Sequence, residues 1–401
     1  MTNYIGTTFD PEWGADGSIY FGTFENGAFQ IKREKDITGS FPESPLYTND
    51  ILPISAKRWT YENIEKTFIK KHAPYSRKYQ LDFASSQVSQ DPVFGTTGGA
   101  QFVFTDILGN DQYYLLVYNN ARTASEFWKS FNLGITKVNL GKRFNYAYGL
   151  YRFAGYYYNP QDAYYYEERV GASFTVSYPL SQFSRISFSQ NLSYSDKEIF
   201  ADEQRMAYLN TSYLTYIHDN ALWLGTGPID GHRLNLTLGN TYAFAFSNVN
   251  YLTGMIDYRK YFRLSLRSAY AVRLFSMFNE GKEARYFYLG GSWDLRIYRR
   301  FSLYGQRLFL VSQELRFPLI DMLGLRLPFG TIGFYGIRGA VFVDAGNAWT
   351  HSFPGWLGSY GVGIRMRLAG YLVLRLDMGR KTDFKSFGGS TITHFFFGWD
   401  F

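Results

Sequence analysis

The sequence predicts an all-β fold, most of it a sixteen-stranded antiparallel transmembrane β-barrel. Aromatic residues make up 20% of the 401 residues, with 35 Tyr and 37 Phe, yet the mean hydropathy is only −0.24. The reason is that apolar and polar residues alternate over long stretches, which is typical of strands with one apolar and one polar face. No run of about 18 apolar residues is present, so the sequence excludes a membrane-spanning helix.

Residues 1–50 differ from the rest and predict a short hairpin unit. An Asp16-Gly17 turn leads into a strand at 18–21, and a second strand follows at 29–33. The spacing Pro-x-Trp-x-x-Asp-Gly, which begins at Pro11, resembles the last blade of a TolB-like β-propeller. The resemblance implies that 1–50 is the end of a propeller-like region, and a stray hairpin is the alternative. Residues 51–76 are predicted to be a linker, with a short helix at 63–71.

Residues 77–401 are predicted to form the barrel, because turn signals separate alternating runs of suitable length. Sixteen is an even number, as single-chain bacterial barrels require. The predicted strands are 78–85, 96–106, 111–119, 131–140, 143–158, 164–178, 183–195, 206–218, 231–245, 248–259, 261–275, 303–317, 333–347, 357–369, 371–379 and 391–401.

The alternation also predicts which side chains face lipid. In 233–238 the leucines occupy one face, while Arg233, Asn235 and Thr237 occupy the other. An arginine that faced lipid at mid-bilayer would cost roughly 2–4 kcal/mol. The polar face is therefore predicted to look into a wet lumen and the leucines into the bilayer.

The stretch 286–298 does not alternate, and it has two counterparts further along the chain. It contains a glycine pair, which permits tight backbone bends, followed by an arginine between large residues. Downstream, 313–319 carries Glu314 and 340–349 carries Asp344. The loop motif consists of Gly290, Gly291, Leu295, Arg296 and Tyr298.

These three stretches resemble the barrel domain of the BamA/TamA-type outer-membrane superfamily, also called bacterial surface antigens. There a Leu-Gly-Gly … Leu-Arg-Gly-Tyr loop folds back into the barrel, and its arginine meets acidic residues on the following strands. The resemblance implies that Arg296 meets Glu314 and Asp344. Ile297 stands where the family has glycine, and a β-branched residue disfavours positive φ. We therefore expect that the loop tip can follow a different path and aim the arginine elsewhere.

The final segment resembles the sorting signal that assembly machinery reads on outer-membrane strands. Aromatic residues occupy alternate positions up to the end of the chain, and one face of a last strand would carry all of them. They are Phe395, Phe397, Trp399 and Phe401. A plain edge strand is the alternative, although an edge this apolar would aggregate in water.

Other chemistries have little support in the sequence. The five histidines lack metal-ligand spacing, and neither a nucleophile elbow nor a phosphate-binding loop is present. We therefore expect no catalytic residues, no metal and no cofactor. The net charge of +7 is spread along the chain rather than clustered, which argues against nucleic acid as a partner. The absence of cysteine excludes disulfides and thiolate metal sites.

The resemblance implies insertion or translocation of polypeptide through a weak seam between the first and last barrel strands. The expected partners are the lipid bilayer of the outer membrane, the assembly machinery and a polypeptide substrate. Short connections are expected on the periplasmic side and the motif loop on the extracellular side. The first 24 residues lack an export signal, so we expect a truncated chain. A passive or solute-selective pore, or an anchor or exporter for an upstream propeller or enzyme, are the alternatives.

Overall fold

The computed structural model describes residues 8–25, 28–35, 75, 78–91, 95–121, 124–199, 203–225, 227–328, 330–368 and 372–397. The chain divides into two compact units, Met1–Ser76 and Arg77–Phe401. Except for a 3-10 turn at Ala124–Glu126, the regular elements in these ranges are strands. Among the described residues, no helix combines the length and the apolar character needed to span a bilayer. The predicted helix at 63–71 lies outside the described residues.

The first unit contains a three-stranded antiparallel sheet of β1 (Thr8–Trp13), β2 (Ile19–Glu25) and β3 (Ala28–Glu34). The predicted Asp-Gly turn joins β1 to β2, and Gly17 takes a φ of +74° there. The Asp16 carboxylate accepts a hydrogen bond from the Ser18 amide at 3.2 Å, which closes the turn. One hairpin and one further strand are thus present, while their membership in a propeller stays a prediction.

The second unit is a large antiparallel sheet. Its elements are β4 (Tyr79–Asp91), β5 (Gly95–Asp106), β6 (Asp111–Asn119), β7 (Phe131–Asn139), β8 (Asn145–Asn159), β9 (Ala163–Pro179), β10 (Ser184–Ile199), β11 (Glu203–Asp219), β12 (Leu222–Leu224), β13 (Gly227–Ala245), β14 (Asn250–Arg263), β15 (Ala269–Lys282), β16 (Phe287–Leu289), β17 (Leu303–Gly305), β18 (Arg307–Leu327), β19 (Gly330–Trp349), β20 (Leu357–Leu368), β21 (Leu372–Thr382) and β22 (Ile392–Phe397).

The order of these strands is that of a barrel. Neighbours in the sheet are neighbours in the chain, except that β16 and β17 pair only with each other and β18 follows β15 in the wall. β12 is a short strand that pairs with the start of β13. The order returns from β22 to β4. The number of strands that cross a membrane, and the sealing of the β22–β4 junction, stay predictions.

The two faces of the sheet differ as the alternation predicts. On β13, Leu236 and Leu238 point outward and are 38% and 64% exposed, whereas Thr237 bonds inward to Thr215 at 3.0 Å. Later strands repeat this pattern, with exposed apolar residues on the outer face and buried polar residues on the inner one. The outer set includes Leu252, Ile256, Leu274, Leu315, Val341, Val343, Val362 and Met378, and the inner set Arg273, Ser312, Glu314, Arg316, Asp344, Arg365, Arg375 and Asp377.

One predicted turn is in the wrong place. The sequence placed a turn at 259–260 and a strand over 261–275, because Leu and Arg alternate at 263–267. Instead β14 continues to Arg263, and 264–268 form the turn. The Ser265 hydroxyl accepts hydrogen bonds from the amides of Arg267 and Ser268, which stabilises the turn locally. The short strands β12, β16 and β17 were not predicted either.

Candidate functional site

The connection between β15 and β18 folds inward as a structured loop, here called the lumen loop (residues 283–306). Its entry and exit pair as β16 and β17. Gly290 and Gly291 follow β16 with φ of +111° and +112°, a region that side chains rarely adopt. A Cβ on Gly290 would lie 2.6 Å from the carbonyl oxygen of Arg299. The glycine pair is therefore required for the bend that aims the loop at the wall.

Arg296 lies at the inner end of the lumen loop and is 1% exposed. Its Nε donates to Asp344 Oδ2 at 2.6 Å and its Nη2 to Asp344 Oδ1 at 2.5 Å, a two-pronged contact. Nη1 donates to Glu314 Oε2, and Nη2 also reaches Ser312 Oγ at 2.9 Å. Its Cζ lies 3.9 Å from the centroid of the Phe342 ring. The structure thus brings together the loop arginine and both acidic residues singled out in the sequence.

The ionisation of Arg296 follows from these contacts. Burial by itself would lower the pKa of the guanidinium, because the charged form loses water. The carboxylates of Asp344 and Glu314 outweigh that effect and hold the pKa of Arg296 above its ordinary value. Arg296 is therefore a permanent cation that two buried carboxylates need as their counter-ion.

Ile297 does not divert the loop, contrary to the expectation from sequence. It adopts a φ of +71° itself, although this costs a non-glycine residue about 1–2 kcal/mol. Its side chain is 1% exposed and packs over Gly379 of β21. A Cβ on Gly379 would lie 3.1 Å from both Cγ1 and Cδ1 of Ile297. Burial of the isoleucine against a glycine in the wall offsets the backbone strain, so the arginine keeps its direction.

An apolar cluster holds the rest of the loop against the wall. Leu289 and Leu295 are fully buried, and Tyr298 is 8% exposed. They pack on inward-facing residues of β18 and β19, namely Leu308, Leu310 and Ala348. Leu295 and Tyr298 belong to the predicted motif, and they flank the arginine on either side. The lumen loop therefore shields the ion pairs of its own Arg296 from water.

The charge network is wider than the sequence predicted. Glu314 also accepts from Arg316 Nε and Arg365 Nη2, both at 2.8 Å. Arg365 continues to Asp377 at 3.0 Å, and Asp377 accepts from Arg375 Nε at 2.7 Å. One signal was visible in the sequence, since Glu314/Arg316 and Arg375/Asp377 are opposite charges two positions apart on one strand face. Which pairs meet across strands depends on the register, which the sequence did not supply.

The last described strand connects to the loop through aromatic rings. Phe395 and Phe397 point outward and are 57% and 55% exposed, as the alternation predicts. Phe396 points inward and meets Trp293 of the lumen loop edge-to-face, with 5.0 Å between ring centroids. Trp399 and Phe401 lie outside the described residues, so the sorting signal stays a prediction. Within the described part of the chain, no group of three His, Cys, Asp or Glu could hold a metal ion.

The chain is similar to a known family and to several solved structures. The family model of the Omp85 superfamily domain matches residues 118–401, more than half of the chain. BamA from Haemophilus ducreyi, in a form lacking POTRA domains 1–3, is 13% identical with a TM-score of 0.57, over 80% of this chain and 71% of that one. At this identity the likeness concerns the fold alone. No curated protein matches the chain.

Two further structures are similar over a comparable share of the chain. CdiB from Acinetobacter baumannii is 15% identical with a TM-score of 0.44, over 77% of this chain and 57% of that one. CdiB from Escherichia coli is 13% identical with a TM-score of 0.46, over 79% of this chain and 61% of that one. The chain spans less than two thirds of the length of either CdiB structure.

Proposed function

Because this chain belongs to the Omp85 superfamily, we propose that it is an outer-membrane β-barrel of the BamA/TamA type that inserts polypeptides into the membrane or moves them across it. The wall consists of sixteen strands when β12 is assigned to a hairpin rather than to the wall. The exposed apolar residues of the outer face contact lipid, and the short connections face the periplasm. The substrate is an unfolded polypeptide, and the assembly machinery recognises the last strand.

The buried ion pairs of Arg296 with Glu314 and Asp344 are the observation that carries this proposal. It ties the lumen loop to β18 and β19 through buried contacts on both Asp344 and Glu314. A plain pore does not need an ordered inner loop, whereas here a buried apolar cluster also fixes the loop to β18 and β19. We infer that the polypeptide substrate is inserted or translocated at the junction of β22 and β4, where the two ends of the wall meet.

Reconstitution into vesicles tests this proposal. The purified chain would be placed in liposomes and offered an unfolded outer-membrane barrel protein, with insertion followed by heat-modifiable mobility of the substrate. Since the chain lacks cysteine, Ser86→Cys on β4 and Thr393→Cys on β22 can be joined by a flexible bismaleimide. We expect accelerated insertion by the free chain and loss of it after crosslinking.

Two outcomes would favour the alternatives. Ion conductance with no effect on substrate insertion, unchanged by the crosslink, would identify a pore. Inactivity in both assays, together with surface exposure of a fused upstream domain, would identify an anchor or exporter. Empty liposomes and a chain that carries Thr393→Cys alone serve as controls.

A further inference from the structure

A second element folds into the lumen from the end of the barrel that carries the short connections, opposite the lumen loop. The β11–β13 ladder ends at the pair Asp219↔Arg233, and beyond it β12 and the first residues of β13 form a separate hairpin (residues 222–230), here called the inner hairpin. Gly231 sits at the bend with a φ of +87°, and a Cβ there would collide with the carbonyl oxygen of Asn220. Only glycine fits this position, so the sharp bend that turns the hairpin inward depends on Gly231.

The inner hairpin contacts strands that are not its neighbours in the wall. The carbonyl oxygen of Pro228 accepts a hydrogen bond from Arg316 Nη1 on β18 at 3.1 Å. Gly225 lies against the guanidinium of Arg367 on β20, and Ile229 is 1% exposed. In the strand order, β18 lies three positions and β20 five positions from β13. The hairpin therefore folds inward over part of the opening, toward β18 and β20, rather than lying along β11 and β13.

One carboxylate lies between this hairpin and the lumen loop. Glu314 accepts from Arg296 of the loop through Oε2. Through Oε1 it accepts from Arg316 Nε at 2.8 Å, and the same Arg316 holds the hairpin at Pro228. Glu314 and Arg316 are 1% and 2% exposed. A continuous chain of buried, charge-assisted hydrogen bonds thus runs from the extracellular loop to the periplasmic hairpin.

We propose that the lumen loop and the inner hairpin are two gates of one barrel, coupled through Glu314 and Arg316, so that release of the loop also releases the hairpin. The coupling follows from the low dielectric of the site, in which each hydrogen bond is stronger than it would be in water. When Arg296 leaves, water reaches Glu314, and its Oε2 keeps the bond from Arg365 on β20. As the Glu314 carboxylate turns toward Arg365, the bond from Arg316 Nε to its Oε1 weakens, and the bond from Arg316 Nη1 to Pro228 weakens with it. The coupling itself does not depend on the proposed function; only its role, in polypeptide insertion or translocation, rests on it.

Spin-label distances measure both gates in the whole chain. One pair, Leu222→Cys with Leu108→Cys, reports the hairpin against the far wall, and both native side chains are exposed. A second pair, Arg300→Cys with Asn248→Cys, reports the lumen loop from two exposed positions. Each pair would be recorded in the wild-type background, with Arg296→Ala and with Arg316→Met.

We expect Arg296→Ala to broaden the hairpin distances as well as the loop distances. A population of displaced hairpin about 5–150 times larger than in the wild type matches the usual range of coupling between sites. Because coupling is reciprocal, Arg316→Met should broaden the loop distances too. Arg205→Ala is the matched control: Arg205 also contacts two carboxylates, Asp162 and Glu203, but is half exposed. It should move neither pair.

The proposal falls if Arg296→Ala broadens the loop distances and leaves the hairpin distances unchanged. It also falls if neither changes, because Arg296 is then not the link. Should Arg296→Ala prevent folding, Arg296→Lys keeps the charge without the two-pronged contact, and an intermediate broadening of both pairs is required. Coupled distances in a chain that inserts no substrate would overturn the proposed function and leave the coupling standing. Uncoupled distances in an active chain would do the reverse.

Discussion

The two sides of the barrel lumen satisfy their inward-facing polar side chains in different ways. Along β9–β13 the inward side chains are mostly hydroxyls and amides that bond across strands, such as Thr175 with Ser189 at 3.0 Å and Ser177 with Ser187 at 2.7 Å. Their residues are half-buried, so lumen water reaches them. Along β18–β21 the inward side chains include a buried charged cluster and an apolar cluster, and the lumen loop packs against both. We call these the wet wall and the dry wall.

The difference shows what a charge needs in each place. On the wet wall Arg205 contacts Asp162 at 3.0 Å and Glu203 at 2.8 Å while its side chain is 50% exposed. On the dry wall Arg296 contacts two carboxylates with 1% exposure. Ion pairs in water add little stability, whereas a buried carboxylate without its cation is strongly destabilising. The same residue types therefore have unequal energetic weight on the two walls.

The largest expected effect separates the walls directly. Arg296→Ala should lower the free energy of unfolding by about 3–5 kcal/mol, because it leaves the buried Asp344 carboxylate without the cation that contacts it, while Glu314 keeps Arg316 and Arg365. Arg205→Ala should cost about 0–1 kcal/mol. Thermal or denaturant unfolding in detergent, followed by heat-modifiable mobility, measures both. Equal losses of stability would mean that Arg296 is no better shielded from water than Arg205.

A double-mutant cycle sharpens this result. Arg296→Ala and Asp344→Ala, each alone and combined, give the interaction free energy of the pair. We expect the double variant to lose clearly less than the sum of the single losses. Strictly additive losses would show that the two side chains do not meet.

The second effect tests which way the wet wall faces. Leu236→Arg would put a charge on the outer face and should cost roughly 2–4 kcal/mol if Leu236 lies near mid-bilayer. Thr237→Arg puts the same charge on the lumen face, where water is available, and should be tolerated. Barrel formation in liposomes, scored by heat-modifiable mobility, distinguishes them. Equal tolerance would show that the assigned facing is wrong.

The third effect tests how closely the dry wall fits the loop. Gly379→Ala would place a methyl group 3.1 Å from the Ile297 side chain and 2.6 Å from the carbonyl oxygen of Tyr360. Overpacking of this kind typically costs about 1–3 kcal/mol. Gly388→Ala is the control, because a Cβ there meets nothing within 4 Å. A melting temperature unchanged by Gly379→Ala would mean that the loop is not seated on β21.

The smallest effect concerns the strained residue. Ile297→Gly would lose about 1.5–3 kcal/mol of apolar burial and recover about 1–2 kcal/mol of backbone strain. The net loss of stability should therefore be only about 1 kcal/mol. Leu295→Gly, which is equally buried but has no positive φ to relieve, should cost clearly more. If the two cost the same in a melting experiment, the positive φ of Ile297 carries no strain.

The sequence predicted well whatever depends on neighbours along the chain. The facing of 233–238 follows from a period of two, and most strands lie close to the ranges that the alternation predicts. The loop motif and its acidic partners came from a resemblance whose residues stand in order. Even so, the turn at 264–268 was missed, because the alternation of Leu and Arg in 263–267 is also typical of a strand. In the structure, the Ser265 hydroxyl accepts hydrogen bonds from the next amides and stabilises a turn instead.

Features that depend on register or on contacts across the lumen were not predictable from the sequence. Arg365 reaches Glu314 across two strand boundaries, and Arg316 meets Pro228 across three. Neither contact leaves a local pattern in the chain. Ile297 shows the opposite case: its local preference argued against positive φ, and burial against Gly379 overrode that preference.

The sequential order of the strands also bears on how the barrel forms. Most neighbouring strands in the wall are joined by short connections, so each pairing closes a small loop of chain. If the pairing of β22 with β4 formed first, it would close about three hundred flexible residues, against about twenty for a typical hairpin here, which adds on the order of 2 kcal/mol of chain entropy. We therefore expect the short hairpin pairings to form before it. The two ends of the wall are then expected to be the last part of the sheet to pair.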